Sequence, residues 1–128
     1  MLRYNLWQYC RNQGHRYSLL KRKKNMEIQD TIKAVRAWGI AKGITGPEGA
    51  SNEKSQLKKL FEEVDELNSA TYAEDHEEKI DAIGDCTVVL ILMADIIGVP
   101  FEDCLETAYN VIKSRTGKMI DGAFVKDQ

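Results

Sequence analysis

Asp81-Ala82-Ile83-Gly84-Asp85-Cys86-Thr87-Val88-Val89-Leu90-Ile91-Leu92-Met93-Ala94-Asp95-Ile96-Ile97 is the stretch on which the fold turns. Its apolar part, Cys86 to Val99, runs 14 residues with Asp95 inside it. A bilayer crossing needs about 20 apolar residues, so the stretch reads as a buried core helix and no membrane partner is expected. From Thr87 to Ile97 it is apolar nearly all round, which places the helix at the centre of a bundle or in a subunit interface. Gly98-Val99-Pro100 ends it.

Outward from this helix the pattern stays helical. Ile28, Ile32, Val35 and Trp38 repeat at helical spacing from Met26, and Gly39 and Gly43 mark the end of that run. Ile44-Thr45-Gly46-Pro47-Glu48-Gly49-Ala50 is a loop by composition, after which Ser51 or Asn52 caps a second helix reaching about Ala73. The third helix starts near Asp75. A fourth starts near Phe101, with Glu102 and Asp103 well placed against its positive end, and stops before Gly117. Met119 to Gln128 reads as a short extended tail. Four helices on short links predict an all-α, four-helix-bundle-like domain over residues 26–128.

Composition agrees. The chain has 128 residues, 43% hydrophobic and 30% charged, enough for one domain with a packed core, and only 2 prolines, which disfavours an all-β sandwich. Residues 1–25 hold seven Lys/Arg and no acid, whereas the remaining 103 residues hold 11 basic and 20 acidic side chains. An acidic body is a poor match for nucleic-acid phosphates and a good one for divalent metal ions. The basic segment 1–25 reads as an unstructured extension, as upstream sequence preceding a true start at Met26, or as an arm for nucleic acid or an acidic partner. Three cysteines (Cys10, Cys86, Cys104) without a C-x-x-C pair fit a reducing cytoplasm, and no signal peptide is visible, so a cytoplasmic location is expected.

The charges sort by face. On the second helix Leu57, Leu60, Phe61, Val64 and Leu67 share one arc, read as the core stripe. Gln56, Lys59, Glu63, Glu66 and Ala70 share another, roughly 110° round from it. Glu78, Asp81 and Asp85 share an arc of the third helix that continues into Val88, Val89 and Leu92, so these acids are expected to face inward. Buried carboxylates must be paired, protonated or bound to metal. Facing helices with inward acids one turn apart are how a bundle holds a divalent ion, and oxygen-only ligands select Mg²⁺ or Mn²⁺. The competing reading pairs the acids with Lys59, Lys79 and Lys113.

Tyr109, Asn110, Lys113, Arg115 and Lys118 supply a possible phosphate-binding half, since Arg and Lys neutralise phosphate oxygens and Asn can anchor a sugar. Cations at a helix C-terminus also stabilise its dipole, which alone would explain Lys113 and Arg115.

Glu62-Glu63-Val64-Asp65-Glu66-Leu67 resembles the E-E-x-x-E motif of the MazG-like nucleoside triphosphate pyrophosphohydrolases, of the all-α NTP pyrophosphatase superfamily. Asp81-Ala82-Ile83-Gly84-Asp85 resembles their E-x-x-D motif, and the ending from Tyr109 to Lys126 is similar to compact phage and prophage members. The likeness covers residues 26–126. One position departs: the glutamate of E-x-x-D falls on Ala82, where Asp81 or Glu78 could stand in as ligand.

The resemblance implies hydrolysis of a nucleoside triphosphate, a deoxynucleotide by preference, to its monophosphate and pyrophosphate. Glu62, Glu63, Glu66, Asp81 and Asp85 would hold Mg²⁺, Glu62 would serve as general base, and Lys113, Arg115 and Lys118 would offset charge on the leaving group. Gln56, Lys59, Asn110 and, with a smaller share, Trp38 are candidates for substrate contact; Trp38 reads first as core. Homodimers or homotetramers are expected, as in the family. The rival readings are a non-catalytic bundle that binds nucleic acid or protein through residues 1–25, and a degenerate member that binds nucleotide but turns over slowly.

Overall fold

The computed structural model describes residues 26–128; the basic segment 1–25, with every reading placed on it, lies outside the described residues. Four helices follow in order: α1 (Ile28–Ala41), α2 (Glu53–Tyr72), α3 (His76–Ile97) and α4 (Phe101–Ile112). Two short strands, β1 (Gly117–Ile120) and β2 (Ala123–Lys126), end the chain. The all-α bundle read from the sequence is the fold observed.

Local signals set the helix ends. Asn52 caps α2 in a reciprocal box: its Oδ1 accepts the Ser55 N–H at 2.9 Å, and Ser55 Oγ accepts the Asn52 N–H at 3.0 Å. Asp75 caps α3 by accepting the Glu78 N–H at 3.1 Å. Gly98, at φ +78°, takes the left-handed conformation that closes α3.

The apolar helix α3 is the hub. The longest packing seam joins it to α2, with α1 and α4 also laid against it. Its Ala82, Val89, Ile91, Leu92 and Ala94 are buried, as are Ile32 of α1 and Ala70 of α2. Arg36 of α1 ties three helices together: Nε donates to Asp95 Oδ1 at 3.2 Å on α3, and a terminal nitrogen donates to Glu102 Oε2 at 2.7 Å on α4. Among the described residues no single helix is long and apolar enough to cross a membrane; α3 and α4 pass that test only as a pair bent by 102°.

Three expectations change. The stripe read as the α2 core is largely exposed: Leu57 and Val64 are nearly half accessible and Phe61 two-thirds, while Gln56, Glu63 and Ala70 are the buried positions. Helix α2 therefore turns Gln56, Glu63 and Ala70 toward α3, and Leu57, Phe61 and Val64 stay exposed among the described residues, with Leu60 and Leu67 half-buried. On α3, Glu78 and Asp81 are exposed and only Asp85 of that arc is half-buried, the inward arc closing at Val89 and Leu92. Trp38, read first as core, is 46% exposed.

The C-terminal tail is more structured than an extended segment. β1 and β2 form an antiparallel hairpin in the register Gly117↔Lys126 to Ile120↔Ala123. Asp121 and Gly122 make its two-residue turn, both at positive φ, the geometry that matches the twist of a tight hairpin.

Candidate metal and phosphate site

Glu63 and Glu66 stand one turn apart on the face of α2 that meets α3, and Asp85 faces them from α3. One carboxylate oxygen from each lies within 4.8 Å of the other two. Glu63 is buried, Asp85 half-buried and Glu66 exposed, so the group opens to solvent at one side and ends in the helix interface at the other. Ala82, buried one turn before Asp85, presents only a methyl group on this face.

The electrostatics call for a cation. Glu63 Oε1 forms an ion pair with Lys59 Nζ at 2.8 Å, but Glu63 Oε2 is buried without a hydrogen-bond partner among the described residues. A buried carboxylate oxygen left so is costly unless something positive meets it. The charge on Glu63 holds the Glu66 carboxyl above its ordinary range. Burial does the same for Asp85, reinforced by Asp81 and Glu63. Three acids raised or orphaned at one point, all offering oxygen, suit a hard divalent ion such as Mg²⁺ or Mn²⁺.

The remaining candidates distribute as follows. Glu62 is half exposed and its Oε2 lies 3.3 Å from Lys59 Nζ, outside the close carboxylate group. Asp81 is also outside that group and acts on it only through its charge on Asp85. Gln56 is buried two turns before Glu63; its Nε2 donates to Ser51 Oγ at 2.8 Å, and its Oε1 is buried without a partner. Asn110 Oδ1 accepts from Lys113 Nζ at 3.0 Å, so these two exposed α4 residues bond each other. Arg115 follows α4 and Lys118 lies on β1, both exposed.

The two sequence readings of the acids coexist: Lys59 pairs with Glu62 and Glu63, while Glu66, Asp85 and the inner oxygen of Glu63 keep an unmet demand for positive charge. The Arg36 network has no signal in the sequence, because Asp95 and Glu102 lie 59 and 66 residues away and no local spacing points to them.

The sequence model of the family described as phosphoribosyl-ATP pyrophosphohydrolase (PRA-PH) matches residues 42–110, more than half of the chain. The matched span runs from the α1–α2 loop to Asn110 and contains Glu63, Glu66 and Asp85. No curated protein and no solved structure matches the chain.

Proposed function

We propose a function from one premise: the chain belongs to the phosphoribosyl-ATP pyrophosphohydrolase family, an all-α group related to the MazG-like enzymes, and so is a pyrophosphohydrolase of nucleotide phosphoanhydrides. The reaction is cleavage between the α- and β-phosphates of a nucleoside triphosphate, releasing the monophosphate and pyrophosphate. Deoxynucleoside triphosphates are the proposed substrates, within the compact phage and prophage kind that the Tyr109–Lys126 ending resembles. Phosphoribosyl-ATP, which carries the same bond, is the second reading, favoured by the family match.

One observation carries the proposal: three carboxylates from two helices bring one oxygen each within 4.8 Å of the others, and one of the three, Glu63, has a buried oxygen without a hydrogen-bond partner among the described residues. Glu63, Glu66 and Asp85 would hold Mg²⁺, with Glu62 and Asp81 as outer acids. When bound, the ion supplies neutralisation of phosphate oxygens and acidification of a water molecule. Glu62, half exposed and adjacent in sequence to Glu63, would be the general base that accepts a proton from water. Gln56 offers its orphaned Oε1 as an acceptor for a sugar or base donor. Lys113, Arg115 and Lys118 are the cations assigned to the departing pyrophosphate.

Assembly belongs to the same proposal. The exposed stripe Leu57, Phe61, Val64 on α2 and the exposed Leu105 and Ile112 of α4 are the surface that a second copy would cover.

The test is pyrophosphate release with Mg²⁺ from the eight common nucleoside and deoxynucleoside triphosphates and from phosphoribosyl-ATP. Release that disappears with Glu63→Gln supports the assignment. No release from any of them overturns it.

A further inference from the structure

We infer that Lys59 is a resident counter-cation of the carboxylate site, giving up Glu63 when a divalent ion enters and then engaging the phosphate chain of the substrate. The inference rests on the cation site proposed above and adds a positioning residue to it.

The geometry of the ion pair suggests an exchange. Among the described residues Lys59 Nζ pairs with Glu63 Oε1 at 2.8 Å and Glu62 Oε2 at 3.3 Å, and the buried Glu63 Oε2 has no hydrogen-bond partner. Its charge also reaches Glu66 and Asp85, easing the ionisation of both. One ammonium thus serves a group of four acids, three of which converge at one point with an oxygen each within 4.8 Å of the others. A divalent ion at that point would bring two further positive charges close to Nζ, and the like-charge repulsion would push the ammonium away.

Nothing opposes that movement. The Lys59 side chain is 50% exposed, its stem is flexible, and a solvent-screened i,i+4 pair is weak beside a divalent ion on the same carboxylate. The released ammonium stays on the open side of the site, the side from which a triphosphate must approach. A compact point charge with three rotatable donors is suited to successive phosphate oxygens.

Two effects of opposite sign follow, and a merely structural role gives neither. In calorimetric titrations with Mn²⁺ alone, Lys59→Met binds the ion about threefold to tenfold more tightly than the natural chain, because a competing cation is gone. With Mn²⁺ saturating, the same variant binds inorganic tripolyphosphate about tenfold more weakly, and Lys59→Arg restores that affinity. Equal or weaker Mn²⁺ binding by Lys59→Met overturns the exchange and makes Lys59 a brace for Glu63. Unchanged tripolyphosphate binding overturns the phosphate role. Absence of Mn²⁺ binding by the natural chain overturns the cation site itself, and the inference with it.

Discussion

A β-carbon on Gly39 would stand 2.5 Å from Leu92 Cδ2 and 3.0 Å from Thr45 Oγ1, so α1 crosses α3 at a point that admits no side chain. Leu92 is only 3% exposed and has little room to retreat. Alanine would improve helix propensity by about 1 kcal/mol, but overpacking typically costs about 1–3 kcal/mol. Gly39→Ala is therefore expected to lower the urea midpoint. Leu92→Ala alone costs about 2–5 kcal/mol, and the double variant loses less than the sum because the cavity accepts the new methyl. Additive losses in that cycle would show that the two residues do not meet.

Removing one charge from the acidic group separates catalysis from folding. Glu63→Gln is expected to cut pyrophosphate release by about 100-fold or more, the scale of losing one well-placed electrostatic group. The metal-free protein keeps its melting temperature or gains slightly, since Glu66 loses the charge that most raises its pKa. A collapse of the fold would instead make Glu63 a structural residue.

The pH dependence carries a definite sign. Glu66 and Asp85 hold protons more tightly in the folded chain than their ordinary values, so the native state binds more protons than the unfolded one. Without metal, their contribution makes stability fall as pH rises from the unfolded carboxylate range, about 4, through the raised native values. Glu102, lowered chiefly by its hydrogen bond from Arg36, contributes the opposite: stability present above its unfolded pKa and lost as pH falls through the native one. Urea midpoints measured against pH in a chelator should decline less steeply as pH rises from about 4 for Glu66→Gln, and lose less as pH falls below that range for Glu102→Gln. Saturating Mg²⁺ should abolish the first slope and leave the second.

The helix start at Asn52 offers a smaller, local check. Asn52→Ala removes the acceptor for the Ser55 N–H and should cost about 1 kcal/mol of unfolding free energy, with divalent-ion binding unchanged. A larger loss accompanied by weaker binding would mean that the cap also positions Gln56 and the acids beyond it.

Much of this architecture is legible in the chain because it is written locally. Asn52, Asp75 and Gly98-Val99-Pro100 bound their helices through contacts within a few residues, and the observed ends fall within about two residues of those signals. Glu63, Glu66 and Asp85 were candidates from spacing alone. The buried face of α2 is not legible in the same way: periodicity locates the stripe of Leu57, Phe61 and Val64 without saying which surface covers it, and Gln56, Glu63 and Ala70 are the positions buried. The Asp121-Gly122 turn is a recognised hairpin signal, obscured by strands of only four residues. Neither the Arg36 network nor the division of Glu63 between a paired and an orphaned oxygen has any local signature, because both arise where distant segments meet.

Helix α2 wears Leu57, Phe61 and Val64 on the outside and buries the carboxylate of Glu63. If the proposed second copy covers Leu57, Phe61 and Val64, robustness becomes a collective property, and the heat needed to unfold the protein should drop with each step of dilution. The same dilution would loosen the seam between α2 and α3 on which the carboxylates depend. Specific activity would then sag at low enzyme concentration, linking how many copies stand together to how well any one of them works.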